Sequence, residues 1–386
     1  MKNLYYVIIV FTFFSCKYNQ KPDTTNNSFL DLIEKIEVPV FDNEFSLKSQ
    51  SEIVDYIILE TTSDNIIGNV NRLILFGEFV ILLDYANNKQ LLFKNDGSYV
   101  DKICSEGRGP GETLAARDIL ISKSDSIIEI LDGKKLIRKD FSLQTISEHS
   151  IPFFTSYFLK LNSGDYWFFM NNQLNDITEL DNSPNLIRTS NDLVILDYHL
   201  PIEIKDLIYT ESVSFTRSEN NAVFSLPFDN SIYCIRDNNV LKYEVCFGKH
   251  NVPDRMVQSA KNAPDGFERH MRYKEVFDNV YTFGYAWNIQ APLENENYLY
   301  FQFTKNRKAH GVMYNKKTKS IESGLLPANF GQPMVLNSKN QLISVLYPHN
   351  FNNADKENSL LKSKIEDSNK SFTELVNPVI EIIQLK

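Results

Sequence analysis

The sequence predicts an all-β fold: a six-bladed β-propeller of four-stranded antiparallel blades, with small helical insertions. Three observations carry this. From residue 36 onward, apolar runs of five or six residues rich in Ile, Val, Leu, Phe and Tyr alternate with clusters of Asp, Asn, Gly and Lys, the pattern of short strands and turns. A three-strand meander at 79–84, 90–94 and 99–103 recurs at 127–132, 136–141 and 145–151, and its strand-ending aspartates, Asp84 and Asp132, stand 48 positions apart. A repeat of about 40 to 50 residues built from about four strands is what a propeller blade requires, because each sheet buries its faces only against its neighbours around a ring.

Later units keep the form with less regularity. They fall at 157–161, 165–170 and 193–198; at 213–216, 222–225, 231–235 and 241–247; at 298–304 and 311–315; and at 334–336, 341–346 and 379–385. About six blades fit the length of 386 residues. The terminal strand 379–385 is expected to pair with an early segment, 37–40 or 53–60, so that both ends of the chain seal the ring. Pro378 suits this, since proline is tolerated at the first position of a strand. Two stretches break the pattern. Residues 253–279, with Phe267, Met271 and Phe277 at helix-compatible spacing, and 354–376, with Leu361, Ile365, Phe372 and Val376, are expected to be helical or irregular insertions, the charged second one outside the ring.

A hydrophobic content of 42% is enough to bury a large core. A net charge of −9 argues against nucleic acid, whose phosphate backbone calls for clustered Lys and Arg. The N-terminus is more specific: Met1-Lys2, the apolar run 4–14 and then Ser15-Cys16 have the three regions of a secretory signal. The run is shorter than the ~20 residues of a membrane helix, and the chain turns polar directly after it. It divides into a signal peptide at 1–15, a flexible tether at 16–35 and the propeller at 36–386. Cys16, directly after Ser15, resembles the lipobox of bacterial lipoproteins, in which that cysteine is diacylated; Phe13 departs from the leucine commonest there.

Cys104, Cys234 and Cys246 remain, an odd number without CxxC spacing, so neither a disulfide framework nor a zinc site is indicated. A two-residue hairpin loop at Asn238-Asn239 would set Cys234 opposite Tyr243 and leave Cys246 far along the ladder, so free, buried thiols are expected.

The most constrained hexapeptide is Gly107-Arg108-Gly109-Pro110-Gly111-Glu112. Its glycines and proline make a rigid loop that presents Arg108 and Glu112. Two readings stand: a corner between sheets, or a ligand-facing loop. It is no phosphate cradle, because Glu112-Thr113 follows where a Walker motif needs Lys-Ser/Thr. The six histidines lack zincin spacing and no Gly-x-Ser-x-Gly elbow is present, so no metal, cofactor or catalytic residue is indicated. Tyr281, Phe283, Tyr285 and Trp287 are expected to alternate along one strand and share a face. That face packs between blades, or it looks into the channel and offers a stacking platform to a sugar or peptide, with Arg108, Glu112 and Arg117 as the polar side. The other reading of these three charged residues is an inter-blade ion pair.

The segments Tyr56-Ile-Ile-Leu-Glu-Thr-Thr62, Phe93-Lys-Asn-Asp-Gly97, the Gly-Arg-Gly-Pro-Gly-Glu loop, Val245-Cys-Phe-Gly248, Met313-Tyr-Asn-Lys-Lys-Thr318 and the closing Asn377-Pro-Val-Ile-Glu-Ile-Ile-Gln-Leu-Lys386 together resemble the six-bladed β-propeller lipoproteins of Bacteroidetes-type bacteria. The resemblance covers nearly the whole mature chain. It implies an NHL- or TolB-like propeller and a cell-envelope location, and no agreed activity. The expected function is therefore a lipid-anchored envelope propeller, periplasmic or at the outer-membrane surface, that binds a small molecule, glycan, peptide or envelope protein without catalysis. The alternative is a propeller enzyme, a lyase or glycan hydrolase, acting at the central channel. Converging histidines and carboxylates at the channel would favour the enzyme; aromatics and arginine would favour binding.

Overall fold

The computed structural model describes residues 31–47, 51–122, 125–175, 183–204, 215–218, 221–264, 266–351, 356–368 and 370–386. Six sheets form the ring, each written here from the inner strand outward. Blade 1 is β3 (Arg72–Phe76), β4 (Phe79–Asp84), β5 (Lys89–Lys94) and β6 (Tyr99–Lys102). Blade 2 is β7 (Ala116–Ser122), β8 (Ile127–Asp132), β9 (Lys135–Lys139) and β10 (Thr145–Ser150). Blade 3 is β11 (Tyr157–Lys160), β12 (Tyr166–Phe169), β13 (Pro184–Thr189) and β14 (Ile195–Pro201). Blade 4 is β15 (Phe215–Ser218), β16 (Asn221–Ser225), β17 (Ser231–Arg236), β18 (Asn239–Cys246) and a fifth strand, β1 (Asp31–Glu37). Blade 5 is β19 (Trp287–Glu294), β20 (Tyr298–Lys305), β21 (Lys308–Asn315) and β22 (Ile321–Leu325). Blade 6 is β23 (Gln332–Leu336), β24 (Gln341–Leu346), β25 (Val379–Leu385) and β2 (Ser51–Ile58).

Burial grades across each blade and explains the sequence pattern. Second strands such as β4 are covered on both faces by neighbouring blades and so read as continuous apolar runs, whereas the outer strand β10, Thr-Ile-Ser-Glu-His-Ser, is largely exposed. The 48-residue repeat has a physical basis in its aspartates. Asp84 accepts the Gly68 N–H at 2.7 Å, and Asp132 accepts those of Leu114 and Ala115 at 3.0 and 2.9 Å. Each aspartate pins the connection that enters its own blade.

The ring is sealed as expected for 53–60: β2 pairs antiparallel with β25, from Ser51 opposite Leu385 to Ile58 opposite Val379. The N-terminal segment does more than close blade 6. β1 adds to blade 4 parallel to β18, and residues 43–45 cross blade 5, where Phe45 donates to Leu325 O and Leu325 to Asn43 O, both at 2.8 Å. Glycines make room for this belt. A Cβ on Gly324 would stand 2.6 Å from Asn43 O, and one on Gly311 3.0 Å from the Phe45 ring. β1, which begins at Asp31, lies partly inside the stretch 16–35 read as a tether. Cys16 lies outside the described residues.

Two local expectations are corrected. The β17–β18 turn is centred on Asp237 and Asn238, whose φ of 47° and 64° suit a type I′ turn. Cys234 therefore faces Leu241 and not Tyr243. Cys104 and Cys234 are buried and Cys246 is half-buried; all three are free. The other correction concerns the aromatics. Residues 253–279 do contain helices, α1 (Asp254–Lys261) and α2 (Phe267–Phe283), but α2 runs on through Tyr281 and Phe283, so no strand holds the four aromatics. In the charged insertion, α3 (Ser359–Asp367) is capped by the Asn358 side chain, which accepts the Leu361 N–H at 3.0 Å, and buries Leu361 and Ile365 on the outside of blade 6 against Tyr56, Ile58 and Val379.

Because all inner strands run the same way, the ring has two distinct faces. Among the described residues, the loop face carries the connections from an outer strand to the next inner strand, including the glycine loop and α1–α2, as well as α3 between β24 and β25. The opposite face carries tight turns. β1, parallel to β18 and thus opposed to β15, begins on this second face.

Candidate functional site

Three charged side chains from three inner strands meet at the propeller axis. Asp118 of β7 is fully buried, and its carboxylate accepts from Arg72 Nε of β3 at 3.0 Å and from Arg217 Nη1 and Nη2 of β15 at 2.7 and 2.9 Å. The backbone N–H groups of Ile119 and Phe158 add two further donors, each at 3.0 Å. Arg217 also donates to the carbonyls of Phe158 at 2.6 Å and Ile119 at 2.5 Å, which spreads it across blades 2 and 3. Arg72 donates through Nη1 to Phe215 O and lies over the Tyr157 ring, 4.2 Å from its centroid. Its Nη2 is buried with no hydrogen-bond partner among the described residues.

The electrostatics follow from the count. Two guanidiniums share one carboxylate, so among the described residues the cluster carries one uncompensated positive charge where the dielectric is low. Burial opposes the charge on both arginines. For Arg72 the adjacent Asp118 outweighs burial and its pKa is raised, whereas for Arg217 burial, together with the neighbouring Arg72, prevails and the pKa is lowered. A guanidinium keeps its proton in either case.

Beside this cluster lies a cavity of about 230 Å³, lined by β3 from Arg72 to Phe76, by Leu120 and Ile121, by Thr216 to Ser218 and by Met334 to Ser338. On β7, β15 and β23 these are the later parts of the inner strands, so the cavity opens on the turn face, away from the glycine loop. A shallower groove of about 750 Å³ between blades 4 and 5 shares Ser218 and Ser338 with it and runs out to Ile33 and Glu34 of β1. In its wall Glu294 accepts from Arg236 at 3.1 Å, Tyr243 at 2.6 Å, Lys316 at 2.5 Å and the Cys234 thiol at 3.2 Å. Burial alone would raise the Glu294 pKa; Lys316, Tyr243 and Arg236 outweigh it and hold the carboxyl below its usual value.

A family model described as a 6-bladed beta-propeller matches residues 20–331. The chain belongs to this propeller family. No curated protein matches. Among solved structures, a candidate exported protein of Bacteroides fragilis NCTC 9343 superposes with a TM-score of 0.72 at 17% identity, over 91% of this chain and 99% of that one. A further protein, from Bacteroides vulgatus, gives a TM-score of 0.50 at 10% identity, over 87% and 99%. At these identities the likeness speaks for the fold.

Within the family fold, the residues singled out from sequence are dispersed. Arg108 and Arg117 are exposed on the loop face, and the Arg117 carbonyl accepts from Tyr85 OH. Glu112 turns into its own loop: it accepts the Gly109 N–H at 2.7 Å and fills the space a Cβ on Gly107 would need. The glycine loop is thus held by its own glutamate. Trp287 is buried beneath α2 against Phe228, Phe277 and Tyr281, and Tyr285 meets Phe283 at its edge, so neither joins the axial cluster. Inter-blade ion pairing exists, but through other residues: Arg72 to Asp118, and Arg236 of blade 4 to Glu294 of blade 5 at 3.1 Å. Asp118 adjoins Arg117 in sequence. A lone Asp inside an apolar strand was the available signal, because a carboxylate on a buried strand needs a cationic partner.

Proposed function

We propose that the protein is a lipid-anchored propeller of the bacterial cell envelope that binds an anionic ligand in its axial cavity and does not catalyse a reaction. The observation that carries this is the charge imbalance at the axis, where, among the described residues, Arg72 and Arg217 share Asp118 and Arg72 Nη2 has no acceptor. A ligand oxygen would satisfy that group and neutralise the surplus charge. Arginine and tyrosine at the channel, without converging histidines, support binding over the enzyme reading. Among the described residues no three His, Cys, Asp or Glu side chains are grouped so as to hold a metal ion. The envelope location is supported by the signal-like N-terminus ending at Cys16 and by the description of the Bacteroides fragilis neighbour as a candidate exported protein.

Two measurements test this. Isothermal titration with acetate should show binding to the full chain and at least a tenfold loss in Arg72→Met; equal affinities would remove the axial site. Detergent partition should move Cys16→Ala from the membrane fraction to the soluble one; identical partition would remove the anchor.

A further inference from the structure

We infer that the axial ligand is an amphiphilic monocarboxylate, its carboxyl group at Arg72 and its short apolar chain laid along the inner strands towards the turn face. This rests on the reading of the cavity as an anion site and adds the class of ligand. Charge selects the head group. One surplus positive charge is neutralised by one negative charge, whereas a phosphate dianion would bring an unpaired charge into a buried site.

The walls select the tail. Beyond the arginines, the cavity is lined by half-buried Ile74, Leu75 and Phe76 of blade 1, Leu120 and Ile121 of blade 2 and Val335 of blade 6. Among the described residues the polar lining there is Thr216, Ser218, Asn337 and Ser338, three of which stand at the mouth. Deep positive charge with an apolar passage leading out is the arrangement that an acyl carboxylate matches and a sugar does not. At about 230 Å³ the cavity is smaller than the roughly 300–1,000 Å³ of sites for drug-sized ligands, which limits the chain to a short one.

Topology says where such a ligand comes from. The cavity mouth continues into the groove that ends at Ile33 and Glu34, and β1 begins on that same face. If Cys16 is acylated, the fifteen peptide steps to Asp31 span at most roughly 50 Å, so the mouth stays within reach of the bilayer that would supply amphiphiles.

Titrating the full chain carrying Cys16→Ala with acetate, butanoate, hexanoate and octanoate, and with the matching alcohols, tests this. Affinity should rise about fourfold per added methylene until the cavity is filled, and the alcohols should bind at least tenfold more weakly than the acids. Arg72→Met should weaken all acids by a similar factor, whereas Leu75→Asn, which leaves the ionic cluster in place, should flatten the dependence on chain length and spare acetate. Acetate binding as tightly as octanoate would overturn the amphiphile inference and leave the anion site standing. Alcohols binding as well as acids would overturn the anion site itself, and no binding by either series would overturn both. A bilayer source predicts that anchored protein in liposomes takes up membrane-dissolved octanoate; uptake from solution alone would assign the ligand to a soluble pool.

Discussion

Asp118→Ala is the sharpest test of how the propeller axis is held. The substitution removes the one carboxylate between two guanidiniums whose side chains are only 7% and 11% exposed, and it strands the Phe158 N–H. Breaking a buried ion pair by deleting one partner costs about 3–5 kcal/mol, and an unsatisfied buried N–H adds about 1–3 kcal/mol. Set against a total stability of about 5–15 kcal/mol, the variant should sit near its unfolding threshold. At roughly 2 °C per kcal/mol for a domain of this size, calorimetry should record a melting temperature lower by at least about 6 °C. Acetate supplies a second reading from the same sample. It can stand where the Asp118 carboxylate stood, and a ligand at 100 times its dissociation constant returns about 2.7 kcal/mol. Sodium acetate should therefore raise the melting temperature of the variant more than sodium chloride does, and more than it raises that of the wild type. A shift below about 2 °C without acetate rescue would show that Asp118 neither organises the axis nor marks an anion position.

Two further outcomes follow from the geometry. Glu294 has a folded-state pKa below its ordinary 4.5, so the stability it contributes is present above pH 4.5 and is lost as pH falls through the lower folded value; Glu294→Gln should flatten the acid limb of a stability–pH curve, and an unchanged limb would remove Glu294 from the groove wall's energetics. Gly324→Ala places a Cβ 2.6 Å from the Asn43 carbonyl, so the belt must shift off blade 5; hydrogen exchange at Phe45 and Leu325 should accelerate with a loss of about 1–3 kcal/mol, and unchanged protection would mean that the belt is not held there.

The blades were legible because their second strands are buried on both faces, and such strands announce themselves as unbroken apolar runs. The second strands β8 and β24 fall at 127–132 and 341–346, and the third strand β25 at 379–385, as the sequence pattern places them. Strands with weaker signals escaped. β22, Ile-Glu-Ser-Gly-Leu, carries a glycine that serves the passing belt, and β1 is mostly exposed and is held by pairing with β18 more than by burial. The aromatics near 281–287 misled because Phe277, Tyr281 and Trp287 pack together, although a helix supplies two of them and a strand the third. Asn288 and Ala291, with φ of 57° and 48°, also break the alternation of β19, so period-two counting fails in that blade. The axial site was the least legible part. Arg72, Asp118 and Arg217 are up to 145 positions apart in sequence, and only the ring brings them within hydrogen-bond distance.

The way the ring closes bears on which face meets a ligand. A propeller sealed by one shared blade is open at a single seam, and here β2 closes that seam at blade 6. The N-terminal segment adds contacts to blades 4 and 5 as well, so opening the seam also requires releasing β1 from β18 and Phe45 from Leu325. Coupling of this kind makes unfolding more cooperative, because no one blade can leave while the belt holds its neighbours. It also fixes the direction from which the chain arrives. Since β1 is parallel to β18, Asp31 stands at the turn face, and the helices and the glycine loop are on the other. A pull on the N-terminus is then borne first by the β1–β18 ladder and not by the axial cluster, so the arginine-lined cavity keeps its geometry when the chain is held from that end.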